Sequence, residues 1–289
     1  MDTQKYRAFV LAVDLGSFSA AAEELMFTPS GVSHMASAVE DEVGLTLLRR
    51  GRNGVALTSS GEQMMPMIRN LVRSEEAVKQ QASAISGLAS GSVTIGAYSS
   101  IASQWLPGII KEFREKYPGI SIRLLEGVRD EIEQWMADGR LDFCMFSYRE
   151  GTDLEWIPLK DDPMYVAVSK SHPFADRSSV SPEDCAGQPC IMPGRDHDPD
   201  VVDLLKRFSV DVDIEYTTIE NYSAISMVEC GLGISIMNEL ITKGFRSDTV
   251  LVPFDPPQRI NLGIGIRSMK AASPAARGLI RFIRDKFSA

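Results

Sequence analysis

The chain has 289 residues, enough to bury a separate core in each of two or three domains. Apolar residues make up 44% and charged residues 24%, an ordinary globular balance that excludes disordered and fibrous classes. The net charge of −9 sets a condition on any nucleic-acid partner: a polyanion is repelled at long range, so positive charge must be concentrated locally.

Met1 to Arg7 lack the basic-then-apolar layout of a signal peptide, and no run of about eighteen uncharged apolar residues follows, so the chain is expected in the cytoplasm. Tyr6, Phe9, Val10 and Val13 recur at helical spacing, and Gly16 offers a left-handed stop. Ser19 is placed to cap a second helix, Ala20 to Leu25, whose alanine run lets another helix approach closely. Thr28 before Pro29 marks a third helix start, a hydroxyl cap followed by proline at the first turn. Along Pro29 to Val43, the residues Val32, Ala36, Val39 and Val43 line an inward face. Ser30, Ser33, His34 and Ser37 point outward, small polar groups with room to approach base edges. Two short apolar runs, Leu45 to Leu48 and Val55 to Leu57, flank Arg49-Arg50-Gly51-Arg52-Asn53-Gly54: a hairpin with a basic tip, hence a wing. These arginines are the best local supply of positive charge.

From Ser59, which forms a capping box with Glu62, a long helix is expected to about Ile85. Met64, Ile68, Leu71, Val78, Ala82 and Ile85 step by fours and threes, a seam for a partner helix interrupted at Glu75. At 1.5 Å per residue such a helix spans roughly 40 Å. The alternative, that it lies on its own C-terminal domain, has little extra apolar surface to support it, so dimerisation is favoured. Gly87 to Ser92 reads as a linker.

Strand and helix patterns then alternate. Val93–Ala97, Ile120–Glu126 and Asp142–Ser147 read as strands around helices Trp105–Lys116 and Asp130–Asp138. This βαβαβ order implies a parallel sheet. A second block has strands at Met164–Ser169, Asp213–Thr217 and Gly233–Met237 with helices at Val201–Phe208 and Tyr222–Glu229. Asn261–Ile266 and a terminal helix, Pro274–Phe287, close the chain. Two α/β lobes joined by crossing strands would leave a cleft, a favoured place for ligands.

Several features argue against catalysis and metal binding. His34, His172 and His197 sit in unrelated contexts, and no GxSxG, HExxH or P-loop pattern accompanies them. Gly231-Leu232-Gly233 is a lone GxG between a helix and a strand, read as a turn. Arg195-Asp196-His197-Asp198-Pro199-Asp200 concentrates metal-ligand types, yet it has no second histidine, so an acidic surface loop is the preferred reading. Cys144, Cys185, Cys190 and Cys230 show no CxxC spacing. A redox role for the nearby pair Cys185 and Cys190 stays open beside reduced, partly buried thiols. No enzyme activity, cofactor or metal is expected.

Taken together, Phe9, Val13, Gly16-Ser17-Phe18-Ser19, Ala21-Ala22, Leu25 and Thr28-Pro29-Ser30-Gly31-Val32-Ser33 resemble the LysR-type transcriptional regulators. Glu40, Gly44, Leu48, Arg50, Leu57-Thr58 and Gly61-Glu62 continue the likeness. Leu106-Pro107, Tyr117-Pro118, Gly139-Arg140-Leu141-Asp142, His172-Pro173 and Gly231-Leu232-Gly233-Ile234 extend it through the C-terminal part. The resemblance implies an α + α/β protein: a winged helix-turn-helix (residues 1–58), a dimerising linker helix (59–86) and a hinge (87–92). A two-lobed, periplasmic-binding-protein-like (type 2) effector domain then fills 93–289, with lobe I at about 93–161 and 268–289 and lobe II at about 162–267. It also implies a homodimer or homotetramer, contact with RNA polymerase, and a small-molecule effector between the lobes. The recognition helix departs from many relatives in carrying no lysine or arginine.

On this basis Ser30, Ser33, His34 and Ser37 are expected nearest the bases of double-stranded DNA. Thr28, Pro29 with the free amides of the helix start, Arg50 and Arg52 are expected on phosphates. The other reading of the serines is plain solvation. For the effector, Ser99 and Ser100 fall where relatives contact theirs, although both also suit simple helix capping. Phe146, Ser147 and Tyr148 should face the same cleft, with Met192, Pro193 and Asn221 from the second lobe. For Phe146 and Met192, core packing is an equal alternative. Arg149 and Arg195 are read as solvated.

Overall fold

The computed structural model describes residues 3–51, 54–85, 90–194, 198–243 and 246–288. The head opens with three helices, α1 (Gln4–Asp14), α2 (Phe18–Leu25) and α3 (Pro29–Val43), followed by a hairpin of β1 (Leu48–Gly51) and β2 (Gly54–Leu57). Helix α2 is capped two residues earlier than its alanines suggest: Ser17, not Ser19, accepts from the Ala20 amide at 3.3 Å. Thr28 caps α3 as expected, accepting from Gly31 N at 3.1 Å. The inward face of α3 is Val32, Ala36 and Val39, all buried; it packs on Tyr6, Phe9, Ala8 and Ala12 of α1.

Helix α4 (Ser59–Ile85) follows. Thr58 rather than Ser59 supplies its cap, accepting from Gly61 N at 3.0 Å while donating to Thr46 O at 2.8 Å. The apolar seam divides. Ile68 is buried against the head with Met64 and Leu71 beside it, whereas Val78, Ala82 and Ile85 stay exposed. Between them α4 touches its own effector domain through polar groups. Arg73 Nη1 donates to Leu141 O at 2.6 Å, and buried Gln80 reaches Ser92 O and the Ala275 amide. Apolar periodicity carries no trace of a contact made by an arginine and a glutamine.

The first lobe is one sheet in the order β4 (Ile120–Glu126), β3 (Gly91–Ala97), β5 (Phe143–Ser147), β11 (Arg259–Ile266) and β6 (Glu155–Val168). Strands β3, β4 and β5 are parallel, and β11 runs antiparallel between β5 and β6. Because β5 is covered on both faces, its side chains alternate between two cores. Phe143 and Met145 pack under α5 (Ser99–Gln104), α6 (Leu106–Lys116) and α11 (Pro274–Phe287). Cys144 and Phe146 pack under α7 (Arg129–Ala137).

Strand β6 crosses between lobes. Its first half pairs with β11, and its second half pairs with β9 (Ser235–Asn238) and β10 (Val250–Pro253). The sequence pattern shows only the second half, since Pro158, Lys160, Asp161 and Pro163 disguise the first. It also assigns β11 to the second lobe; pairing with β5 puts that strand in the first. The second lobe is completed by β7 (Pro189–Pro193), β8 (Asp213–Thr218), α8 (Pro199–Arg207), α9 (Asn221–Glu229) and α10 (Glu239–Thr242). Strand β7 pairs with β8 and joins β9 through Ile191 N→Ile234 O and Ile234 N→Pro189 O, both 2.8 Å. The Gly231–Gly233 turn enters β9 here, and a Cβ on Gly233 would stand 2.5 Å from Pro189 O, so the glycine serves packing.

Candidate functional site

Two surfaces collect the residues of interest. On the head, Thr28, Pro29, Ser30 and His34 are exposed along one edge of α3, with Thr28 and Ser30 hydroxyls 3.2 Å apart. Ser33 and Ser37 lie half-buried under Arg50. The Arg50 guanidinium donates to Ser33 Oγ at 3.3 Å, to Ser37 Oγ at 2.9 Å and to Glu40 Oε2 at 2.7 Å, and it stands 5.4 Å from the Phe18 ring centroid. The planar fork of arginine suits this three-way hold. Arg50 therefore belongs to the recognition helix as much as to the wing, and Glu40 and Phe18 are the positioning residues that pattern reading overlooks. Arg49 Nε donates to Leu57 O at 3.0 Å. Arg52 lies outside the described residues.

The second surface is a cavity of about 200 Å³ between the lobes. Its first-lobe wall is Tyr98, Ser99 and Ser100 after β3, with Gly127, Val128 and Arg129 at the start of α7. The opposite wall includes Asp198 and Asp200 at the start of α8, Ile219, Asn221, Asn238 and Ile241. Side chains meet across it. Ser147 Oγ lies 2.7 Å from each Asp200 carboxylate oxygen, and Asn221 Nδ2 donates to Ser99 Oγ at 3.2 Å. At the rim Arg149 Nε stands 3.5 Å from Asp203 Oδ2. Behind them Arg129, its side chain 2% exposed, donates to Glu133 at 3.0 Å, to Ser147 O at 2.7 Å and to the Ser147 hydroxyl.

Of the residues expected around an effector, Ser99, Ser100 and Asn221 line this cavity, and Ser147 stands just behind it. The others do not reach it. Phe146 faces the α7 core because β5 alternates, and Met192 is fully buried in the second lobe's core. Pro193 is buried at the end of β7, leaving Gly194 on the wall. Tyr148 is 47% exposed and its ring lies tilted against Trp156, with centroids 5.5 Å apart.

The acidic stretch differs most from expectation. Asp198 and Asp200 are not on a surface loop: they begin α8, with Asp198 Oδ1 accepting from Asp200 N at 2.9 Å and Val201 N at 3.2 Å. Asp198-Pro199 repeats the cap-then-proline signal of Thr28-Pro29, and that signal marks the helix start in the sequence. Burial, then the neighbouring Asp200 charge, pushes the Asp198 carboxyl up to about 7. Burial also raises Asp200, opposed by Ser147 and Arg129. Arg195 and His197 lie outside the described residues, and no metal-holding group of three occurs among those described.

A helix-turn-helix head with a hairpin wing, a long connecting helix and a two-lobed α/β domain defines a ligand-responsive DNA-binding regulator. Residues 3–62 match the family described as bacterial regulatory helix-turn-helix protein, lysR family, and residues 86–288 match the LysR substrate binding domain. The chain belongs to the LysR family: it is a DNA-binding transcriptional regulator with an effector-binding domain, not an enzyme. It is 30% identical to the HTH-type transcriptional regulator YvbU of Bacillus subtilis over 292 residues, 100% of each chain. It is 25% identical to TtuA of Agrobacterium vitis, covering 96% of this chain and 92% of that one. A full-length OxyR variant from Pseudomonas aeruginosa shares the fold with a TM-score of 0.78 at 22% identity, covering 99% of this chain and 94% of that one. The effector binding domain of QuiR, solved in complex with shikimate, superposes with a TM-score of 0.62 at 20% identity, over 69% of this chain and 98% of its own. No helix among the described residues is long and apolar enough to cross a membrane.

Proposed function

We propose that a small effector occupies the cavity between the lobes and, by holding them in one relative setting, adjusts how the head engages promoter DNA in the cytoplasm. The observation that carries this is the cavity itself, whose walls come from both lobes and already bond across the gap through Ser147–Asp200 and Asn221–Ser99. A ligand there alters these contacts, and it regulates only as far as it prefers one arrangement of the chain over another. The effector contacts are Ser99, Ser100 and Asn221, together with Asp198 and Asp200.

On DNA, α3 enters the major groove with Ser30, Ser33, His34 and Ser37 toward base edges, and Thr28, Pro29, Arg50 and Arg52 along the phosphates. The exposed apolar residues Val78, Ala82 and Ile85 support pairing of α4 with a second copy. That gives a homodimer, with homotetramer formation and contact with RNA polymerase as the family resemblance implies. Fluorescence anisotropy of the full-length protein on DNA upstream of its own and adjacent genes tests the scheme. Ser33→Ala and Arg50→Ala should each weaken binding about tenfold. Unchanged affinity in both would sink the groove geometry.

A further inference from the structure

We propose that the effector is an uncharged, hydroxyl-bearing small molecule, a polyol or sugar, held by hydrogen bonds to both walls of the cavity between the lobes. This rests on the reading of that cavity as the effector site and adds the class of molecule it takes. The charges on the walls are already matched to protein partners. Arg129 stands 3.0 Å from Glu133 and 3.8 Å from Asp200. Asp198 accepts from the amides that open α8, Glu131 Oε2 accepts from the Val128 amide at 3.2 Å, and Asp130 is exposed to solvent. A cationic ligand would meet carboxylates that have partners, and an anionic one a guanidinium that already serves two. Either would carry an unbalanced charge out of water, at a cost that an uncharged ligand avoids.

What the walls leave open is hydrogen-bonding capacity. Ser100 lies on the cavity wall at 7% exposure, and its hydroxyl has no partner among the described residues. Arg129 Nε is buried without an acceptor, although the other two guanidinium nitrogens are engaged. On the second lobe α9 begins at Asn221 with no side-chain cap from Glu220. Each of these places can give a hydrogen to a ligand oxygen.

An acceptor stands among them. Both amide bonds to Asp198 fall on Oδ1, and among the described residues nothing donates to Oδ2. A hydroxyl meets both demands, since it accepts from an N–H and donates to a carboxylate. A carboxylate ligand could only accept, and an ammonium could only donate. Ile219 and Ile241 add an apolar patch for the carbon skeleton.

The test is calorimetric titration of the full-length protein with polyols and aldoses, each beside the aldonic acid and the amino sugar of the same skeleton. Titration at millimolar ligand is used because concentrated polyols stabilise any protein by exclusion from its surface. We expect the uncharged member of a set to bind best. Ser100→Ala removes one hydroxyl, and Asp198→Asn puts a donor in place of Oδ2 while asparagine keeps the helix cap. Each should cost about tenfold in affinity, the worth of one hydrogen bond. Tighter binding of the acid or the amine than of its uncharged counterpart overturns the proposal. So does binding indifferent to both variants, and so does failure of every polyol and aldose to bind. All three leave the cavity standing as the effector site. Ser100→Leu and Asn221→Leu fill the cavity from opposite walls. A polyol that binds both of these as well as the native protein sits elsewhere, and the effector reading itself then fails.

Discussion

Arg50 and Glu40 hold each other at 2.7 Å, and the second oxygen of Glu40 accepts from the Leu47 and Leu48 amides at 2.8 and 2.9 Å. One carboxylate thus joins the last turns of the recognition helix to the first strand of the wing. Glu40→Ala should unbind two backbone amides and free Arg50 at once, lowering head stability by about 2 kcal/mol. Thermal denaturation of the full-length protein measures it.

Arg50 can serve DNA binding in two ways, by the phosphate contact proposed above or by fixing the Ser33 and Ser37 hydroxyls to which it donates. Arg50→Lys keeps the charge and loses the fork. If fixing the hydroxyls is its main role, Arg50→Lys should lower affinity for the operator, and neither it nor Arg50→Ala should change the slope of log affinity against log salt by much. A residue whose main work is phosphate contact would, on removal in Arg50→Ala, reduce that slope by about one. Salt titrations of both variants decide between the two roles.

The raised Asp198 carboxyl makes stability depend on pH in a definite direction. Between the ordinary value of 3.8 and about 7, the folded protein holds a proton that the unfolded chain has released. Stability from this group is therefore full below that window and is lost as pH rises through it. Asp198→Asn, which never ionises, should melt about 2–4 °C above the native protein near pH 8 and show little difference near pH 4. Differential scanning calorimetry at the two pH values reads this directly.

Gln80 ties the connecting helix to the effector domain. Its Nε2 donates to Ser92 O at 3.4 Å, its Oε1 accepts from Ala275 N at 3.3 Å, and a Cβ on Gly91 would stand 2.5 Å from its side chain. Gln80→Ala leaves the buried Ala275 amide without this partner and takes one from the Ser92 carbonyl, at a cost of about 1–2 kcal/mol. Hydrogen exchange should quicken over residues 78–85 and stay unchanged in α3.

The cysteines give a chemical check. Burial pushes the Cys185 and Cys190 thiols up to about 12 and raises Cys144 as well, whereas Cys230 is exposed. Only the thiolate attacks a disulfide reagent. In the native protein Cys230 should react in a fast phase, the other three only after unfolding, and peroxide treatment should leave DNA affinity unaltered.

Local chemistry made the head and much of the α/β alternation legible from residues alone. A hydroxyl before a proline, a glycine after the last turn and apolar spacing of three and four are all resolved within a few neighbours, so α3 and α11 appear with their observed bounds. Strands β7 and β10 and the first half of β6 escaped because prolines and charges interrupt them and their partners lie far along the chain. Helix periodicity likewise exposes apolar contacts alone, so the α4 docking through Arg73 and Gln80 left no mark.

By itself the sequence determined the order of domains, the family and the polar face of the recognition helix, since each depends on short-range patterns. Only the tertiary structure decided which side chains share the cleft. Arg129, Ser147 and Asp200 are scattered along the chain, and they meet because β5, α7 and α8 end at the same gap. Whether a carboxylate is solvated or buried beside another is a property of that meeting, and burial is what turned an acidic stretch into a cavity wall whose carboxyls hold their protons more tightly.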